Sequence, residues 1–141
     1  MAALIDVEQM NTTALAYLGD SVWELYVRSH LVEEGLTHVD SLHKKAVNYV
    51  SAFAQESILK SLMQDFLTDD EISLVKRARN HKLAASKKNS GKNAMTDKYA
   101  TAFEALIGFL YITNDKTRLD EVIKKAFCHI ESQPQNSASD H

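Results

Sequence analysis

The chain has 141 residues, enough for one domain that buries an apolar core without disulfides or structural metals. With 45% hydrophobic and 25% charged residues it has the composition of a soluble globular protein. No apolar run reaches the roughly 18 residues that a membrane span requires. One proline and four glycines are too few for the turns of a β-rich fold, so we expect an all-α protein.

Cysteine content and the N-terminal residues indicate the compartment. Cys128 is the only cysteine, so no disulfide can form within one chain, and a reducing cytoplasm is expected. The N-terminus carries Asp6 and Glu8 and no long apolar run, so we expect no signal peptide.

Charge is distributed unevenly along the chain. The net charge is −3, yet residues 76–98 contain eight lysines and arginines against one acid, Asp97. That segment is therefore +7 and the remainder of the chain −10. A concentrated basic segment in an acidic chain favours a polyanionic partner. A solvated, lysine-rich loop with no partner is the alternative.

Apolar residues at helical spacing predict a series of helices in the first half of the chain. A long helix begins from one of the possible N-caps at 11–13 and runs to about Glu34, with Gly35 as its C-cap. A second helix covers about 40–48. Ser51 is predicted to cap a third, whose inward-facing residues are Phe53, Ile58, Leu59 and Leu62.

The second half shows stronger boundary signals. Residues 68–71, Thr-Asp-Asp-Glu, have the pattern of a capping box and predict a fourth helix towards Asn80. Residues 83–95 lack helical periodicity and are predicted to form an exposed functional loop. A fifth helix is expected to start at residue 96 or 97 and to reach about 113, and Asp115 caps the last helix.

We predict a single domain at 11–131. Residues 1–10 form a loose lead-in. Residues 132–141, rich in serine, glutamine and asparagine, form a disordered tail.

Two acidic residues stand in apolar surroundings. Asp20 is the only charged residue within 14–23, and Glu104 is the only one within 99–112. The later segment is apolar nearly all round, so its helix should be central in the core. A carboxylate there is costly unless a cationic partner or a metal compensates it.

Each acid has a structural explanation as well as a functional one. Asp20 follows a glycine and could cap a restarted helix, and Glu104 could pair with Arg28 or Lys98. The functional hypothesis is that the two acids meet in one cleft and hold a divalent cation. Magnesium prefers hard oxygen ligands and often needs only one or two carboxylates. Together with the basic segment, this pair suggests metal-assisted attack on a phosphate.

Two glycines support a close approach of the helices that carry these acids. Gly19 lies mid-helix beside Asp20, where it costs up to about 1 kcal/mol relative to alanine. Gly108 lies one turn after Glu104, and we expect it to let another helix, the one carrying Asp20, pack closely.

The sequence resembles the ribonuclease III family at two signatures. Residues 14–31, ALAYLGDSVWELYVRSHL, resemble its signature helix, and residues 103–111, FEALIGFLY, resemble its second signature. The resemblance places Asp20 and Glu104 on the metal-coordinating, catalytic acids. It covers roughly residues 11–130.

The chain also departs from that family's pattern. Thr13 and Ala16 replace glutamates of the first signature, and Thr101 replaces an aspartate one turn before Glu104. No double-stranded-RNA-binding sequence follows residue 130. These features resemble the Mini-ribonuclease III subfamily, which consists of the catalytic domain alone. The missing acids favour one Mg²⁺ per site.

The resemblance implies a Mg²⁺-dependent endoribonuclease that cleaves double-stranded RNA, leaves 5′-phosphate ends and matures 23S ribosomal RNA. A ribosomal accessory protein is a further candidate partner. Duplex RNA is recognised by shape, backbone and 2′-OH contacts. The residues predicted to contact its phosphates are Arg77, Arg79, Lys82, Lys87, Lys88 and Lys92.

Cutting both strands with one site per chain implies a two-fold homodimer. By the resemblance, Tyr17 belongs to the dimer interface; a plain core aromatic is the alternative. The main rival function is a catalytically inactive module that only binds RNA or the ribosome. A purely structural helical dimer is a weaker rival.

Overall fold

A computed structural model describes residues 11–81 and 93–133 of the chain. Within these ranges it contains six helices and no strand, which confirms the predicted all-α fold. The predicted lead-in at 1–10 and all but the first two residues of the predicted tail lie outside the described residues. The helices are α1 (Thr12–Glu33), α2 (Val39–Val50), α3 (Ala52–Asp65), α4 (Asp69–Arg79), α5 (Ala94–Ile112) and α6 (Lys116–Ser132).

Polar side chains begin four of these helices by bonding to free backbone N–H groups, as the sequence predicts. The Asn11 side chain accepts hydrogen bonds from two α1 amides at 2.8 and 3.1 Å. Ser51 and Asp115 cap α3 and α6 in the same way. Thr68 and Glu71 form the reciprocal capping box of α4, with bonds of 3.1 and 2.9 Å.

Helix α5 occupies the centre of the fold. It packs most extensively against α1 and also contacts α3, α4 and α6. Phe103 is fully buried and meets the ring of Trp23 edge to face, with 5.1 Å between ring centroids. The indole N–H of Trp23 donates to the Tyr49 carbonyl at 3.0 Å, which satisfies a buried polar group. The prediction of a central helix is confirmed.

An ion pair fixes the start of α6 against α4. Two guanidinium nitrogens of Arg118 donate to the two carboxylate oxygens of Glu71, each at 2.8 Å. The Nη2 of Arg118, one of these two nitrogens, also donates to the Phe66 carbonyl at 2.9 Å. Burial raises the pKa of Glu71, but the bonds from Arg118 and the Thr68 backbone outweigh it, so this pKa lies below its usual range.

Two details of the sequence prediction were wrong. Helix α5 begins at Ala94, two residues earlier than expected, and the side chain of the preceding Asn93 makes no capping hydrogen bond, so this start carried no capping signal. Phe53 does not face inward; 65% of it is exposed, since the buried face of α3 follows Ile58, Leu59 and Leu62. Leu25, which continues the apolar spacing of α1, is also exposed at 65%.

No helix in the described part of the chain is long and apolar enough to cross a membrane.

Candidate active site

Helices α1 and α5 cross with their backbones in contact. A β-carbon built on Gly19 would lie 1.7 Å from the backbone oxygen of Glu104 and 2.8 Å from the backbone nitrogen of Gly108. One built on Gly108 would lie 2.1 Å from the Leu15 carbonyl oxygen. No side chain fits at either position. The crossing places the residue after Gly19, Asp20, beside the turn of α5 that carries Glu104.

The structure brings the Asp20 and Glu104 side chains together. Their carboxyl groups are close enough to form a hydrogen bond and to repel each other electrostatically. Asp20 is exposed to solvent and Glu104 is half-buried, so the pair lies where the core reaches the surface. Glu24, one turn after Asp20, adds negative charge to the same place.

The surroundings of Glu104 raise its pKa to about 8. Burial is the largest cause, followed by the charge of Asp20 and its hydrogen bond, with a smaller contribution from Glu24. A hydrogen-bonding contact with the Gln55 amide acts in the opposite direction. Without a cation, the half-buried carboxyl therefore holds its proton at neutral pH.

The structural explanations for the two acids are wrong. Helix α1 runs without interruption through Asp20, so this residue caps no restarted helix. Arg28 lies 3.5 Å from Glu24 instead of Glu104. Within 11–81 and 93–133, no lysine or arginine forms an ion pair with Glu104.

The residues at this site fit a magnesium ion. The two carboxylates offer oxygen ligands only, and their mutual repulsion is what a divalent cation relieves. Gln55 lies beside them, with its amide in contact with the Glu104 carboxyl, and its buried Oε1 has no hydrogen-bond partner among the described residues. Asp20 and Glu104 could therefore hold the ion.

The basic residues predicted to bind RNA are described only in part. Arg77 and Arg79 lie in the last turn of α4, and Arg77 is exposed. The Arg79 guanidinium lies 5.7 Å from the centroid of the Tyr99 ring, and the Lys60 ammonium group lies 4.8 Å from the same centroid. The predicted contacts Lys82, Lys87, Lys88 and Lys92 lie outside the described residues.

Tyr17 is not a core aromatic. Its side chain lies on the outer face of α1, one turn before Ser21, and 84% of it is exposed. The alternative of a buried ring is therefore wrong, while the predicted interface role stays a prediction.

Sequence reasoning missed the place of Gln55 in this site. Gln55 is 98% buried, one turn before Ile58 and Leu59 on the same face of α3, and its Nε2 donates to the Val50 carbonyl at 3.2 Å. A polar residue on an otherwise apolar helical stripe was the available signal.

A second polar cluster also escaped the sequence analysis. The Nε2 of His30 lies 2.6 Å from a Glu131 oxygen and 3.2 Å from a Glu34 oxygen, and the Tyr49 hydroxyl donates to Glu131 at 2.9 Å. Burial and this carboxylate raise the pKa of Tyr49. His30 is ten residues beyond Asp20 on α1, about 15 Å along the helix axis, so the cluster is separate from the candidate site.

Comparison with known protein families shows which family the chain belongs to. The sequence pattern of the Ribonuclease III domain matches residues 13–115, which span both glycines and both acids of the site. The chain belongs to the ribonuclease III family. A crystal structure of a Fusobacterium nucleatum protein is similar to this ribonuclease III chain, with a TM-score of 0.72 and 31% sequence identity over 84% of this chain and 93% of that one.

Relatives of this ribonuclease III chain carry the name Mini-ribonuclease 3. The Clostridium tetani protein is 38% identical over 96% of this chain and 89% of its own length. The Enterococcus faecalis protein is 42% identical over 84% and 89%, and the Symbiobacterium thermophilum protein 44% identical over 83% and 88%. These comparisons confirm the predicted family, the helical fold and the prediction of an endoribonuclease.

Proposed function

We propose that this chain is a Mg²⁺-dependent endoribonuclease that cleaves double-stranded RNA, with Asp20 and Glu104 as its metal-binding catalytic residues. The observation that carries the proposal is the contact between these two carboxyl groups at the crossing of α1 and α5. No lysine or arginine among the described residues forms an ion pair with either of them. Two acids held this close are unfavourable in isolation and favourable around a divalent ion.

The reaction is hydrolysis of the bond between phosphorus and the ribose 3′ oxygen. A water oxygen bonds to phosphorus and the 3′ oxygen leaves with a proton, so the products are a 5′-phosphate and a 3′-hydroxyl. Bound Mg²⁺ would stabilise negative charge on the phosphate and make a water more acidic. Asp20 and Glu104 would hold the ion as carboxylates, which requires Glu104 to release its proton.

In this proposal, the basic segment at residues 76–98 binds the RNA. Arg77 and Arg79 stand at its start, at the end of α4, and the lysines at 82, 87, 88 and 92 follow along the chain. Cationic side chains bind phosphates whatever the RNA sequence, which suits the recognition of duplex RNA by its shape.

Two strands require two cuts, so the enzyme acts as a two-fold homodimer with one site per chain. The exposure of Tyr17 on the outer face of α1 supports its role in the interface, since a large aromatic exposed at 84% gains by burial against a partner. The Mini-ribonuclease resemblance further points to precursor 23S ribosomal RNA as the substrate, a ribosomal accessory protein and action in the cytoplasm.

One observation favours a second candidate, an inactive RNA- or ribosome-binding module. The positions that hold further acids in the resembling family are Ala16, which is buried, and Thr101, which is half-buried. Neither side chain can supply a carboxylate, so a site with two metals lacks ligands.

Cleavage of a plain RNA duplex separates the two candidates. The purified chain and its Asp20→Asn variant are incubated with a long duplex, with and without Mg²⁺. The nuclease proposal predicts Mg²⁺-dependent cleavage by the unmodified chain and a loss of about 10³-fold or more in the variant, because several kcal/mol of charge stabilisation depend on the ion. Duplex binding without Mg²⁺-dependent cleavage by the unmodified chain would favour the inactive module.

A further inference from the structure

The Gln55 amide beside the candidate metal site has an unsatisfied hydrogen-bond acceptor, its Oε1. The side chain is 98% buried, and its Nε2 donates to the Val50 carbonyl at 3.2 Å. Its Oε1 has no partner among the described residues. A buried amide oxygen without a donor is unfavourable, so native proteins rarely keep one without a reason.

The location of this amide indicates the missing donor. An N–H of the Gln55 amide faces the Glu104 carboxyl, because this contact lowers the pKa of Glu104, and that carboxyl itself contacts Asp20. The unpartnered Oε1 belongs to the same amide group. The three side chains come from α3, α5 and α1, so three different helices meet at this place. Mg²⁺ in proteins keeps several of its waters, and such waters are hydrogen-bond donors.

We propose that Gln55 is a positioning residue of the metal site, whose Oε1 accepts a hydrogen bond from a water bound to the divalent cation. The proposal rests on the metal role proposed above for Asp20 and Glu104. The bond from Nε2 to Val50 fixes the amide orientation, so Oε1 is held ready instead of being ordered when the ion arrives. Hydrogen bonds of this outer kind orient the ligands of an ion and contribute to its affinity.

The arrangement also explains why a neutral amide is suitable there. A further carboxylate beside Asp20, Glu104 and Glu24 would increase the repulsion that already raises the pKa of Glu104. An amide offers an acceptor oxygen without a charge, and it still provides the N–H that Val50 requires.

Binding of Mn²⁺ to the complete chain, followed by its electron paramagnetic resonance signal, tests the proposal. Gln55→Met removes the amide and keeps the length of the side chain. Gln64→Met makes the same change at an exposed position of the same helix and is the matched control. We expect Gln55→Met to weaken Mn²⁺ binding about 10-fold or more and to raise the Mg²⁺ concentration needed for half-maximal cleavage similarly, with the rate at saturating Mg²⁺ affected less. Gln64→Met should match the unmodified chain.

A second variant, Gln55→Glu, separates positioning from folding. It keeps an oxygen at the site but adds a negative charge. Without metal, its melting temperature should therefore be lower than that of the unmodified chain. Added Mn²⁺ should raise the melting temperature of Gln55→Glu by more than it raises that of the unmodified chain. If Gln55 only supported the fold, Mn²⁺ would raise both melting temperatures equally, and that result would overturn the proposal.

The role of Gln55 and the function proposed for the chain fail in different ways. Unchanged Mn²⁺ affinity in Gln55→Met, beside a loss of affinity in Asp20→Asn, overturns the role of Gln55 and leaves the metal site intact. Equal Mn²⁺ binding by the unmodified chain and Asp20→Asn overturns both.

Discussion

Gly19 and Gly108 face each other where α1 and α5 cross, and neither position has room for a β-carbon. The atoms that a side chain would meet are backbone atoms, which cannot rotate away. We therefore expect Gly108→Ala to destabilise the fold by about 3 kcal/mol or more, the upper end for an overpacked core. Separation of the helices would also move Asp20 from Glu104, so cleavage should fall even in the folded fraction. Unfolding in urea measures the first effect and the cleavage rate the second.

Ser29→Ala is the control for this substitution, because it changes an exposed position of α1 by a similar volume. Its free energy of unfolding should stay within about 0.5 kcal/mol of the original. A Gly108→Ala protein with unchanged stability and activity would show that the two helices do not cross as closely as described.

Stability without metal should depend on pH through Glu104. Its pKa in the folded chain is about 8, above its ordinary value of 4.5. The folded state therefore binds this proton more tightly than the unfolded state, so its contribution to stability is complete below pH 4.5 and is lost as pH rises through 8. Glu104→Gln, which cannot ionise, should remove that loss and be more stable than the original at pH 9 without metal.

Melting temperatures between pH 5 and 9 in a chelator check this prediction. Added Mg²⁺ should make the original chain more stable than Glu104→Gln at pH 9, because the ion binds the Glu104 carboxylate but binds the glutamine amide only weakly. Parallel pH profiles for the original and Glu104→Gln would contradict the account of a repelled, half-buried carboxyl.

Local pattern was sufficient to single out Asp20 and Glu104, and the resemblance at the two signatures was what placed them in one site. Each is the sole charge in an apolar helical segment, and each lies close to a mid-helix glycine. Charges that interrupt apolar faces need compensation, and glycines that interrupt helices need a packing reason. The helix starts were also predictable, since Asn11, Ser51 and Asp115 cap through contacts within a few residues.

Features that depend on distant parts of the chain were not predictable in this way. Gln55 reaches Glu104 across 49 positions of sequence, and His30 meets Glu131 across 101. The exposure of Phe53 is equally non-local, because the face that α3 buries is set by α5 and not by the hydrophobicity of one residue. Periodicity indicates that a face is buried but not which side chains meet there.

The lysines of the basic segment should determine how RNA binding responds to salt. Each lost phosphate contact reduces the slope of log affinity against log salt concentration by about 0.7 to 0.9. We expect replacement of Lys87, Lys88 and Lys92 by glutamine to lower the slope by about two units, measured in Ca²⁺ to limit cleavage. The control replaces Lys44, Lys45 and Lys124, which are exposed on α2 and α6. An unchanged slope in the first variant would exclude these lysines as the RNA contacts.

Tyr17 should control the oligomeric state. Sedimentation at micromolar concentration should give twice the chain mass of 15.8 kDa for the original, and a shift towards one chain mass for Tyr17→Arg. Phe53→Arg, which changes an exposed aromatic on α3, should stay dimeric. Paired cuts of a duplex should be lost with the dimer. A monomeric original chain that still makes paired cuts would remove the dimer from the proposal.

Anomalous diffraction from crystals soaked in Mn²⁺ tests most directly whether Asp20 and Glu104 hold a divalent ion together. The account predicts a Mn²⁺ peak within coordination distance, about 2.2 Å, of an oxygen from each carboxylate. It also predicts no such peak in Asp20→Asn crystals. A peak only at the separate cluster of His30, Glu34 and Glu131, or none near Asp20 and Glu104, would contradict it.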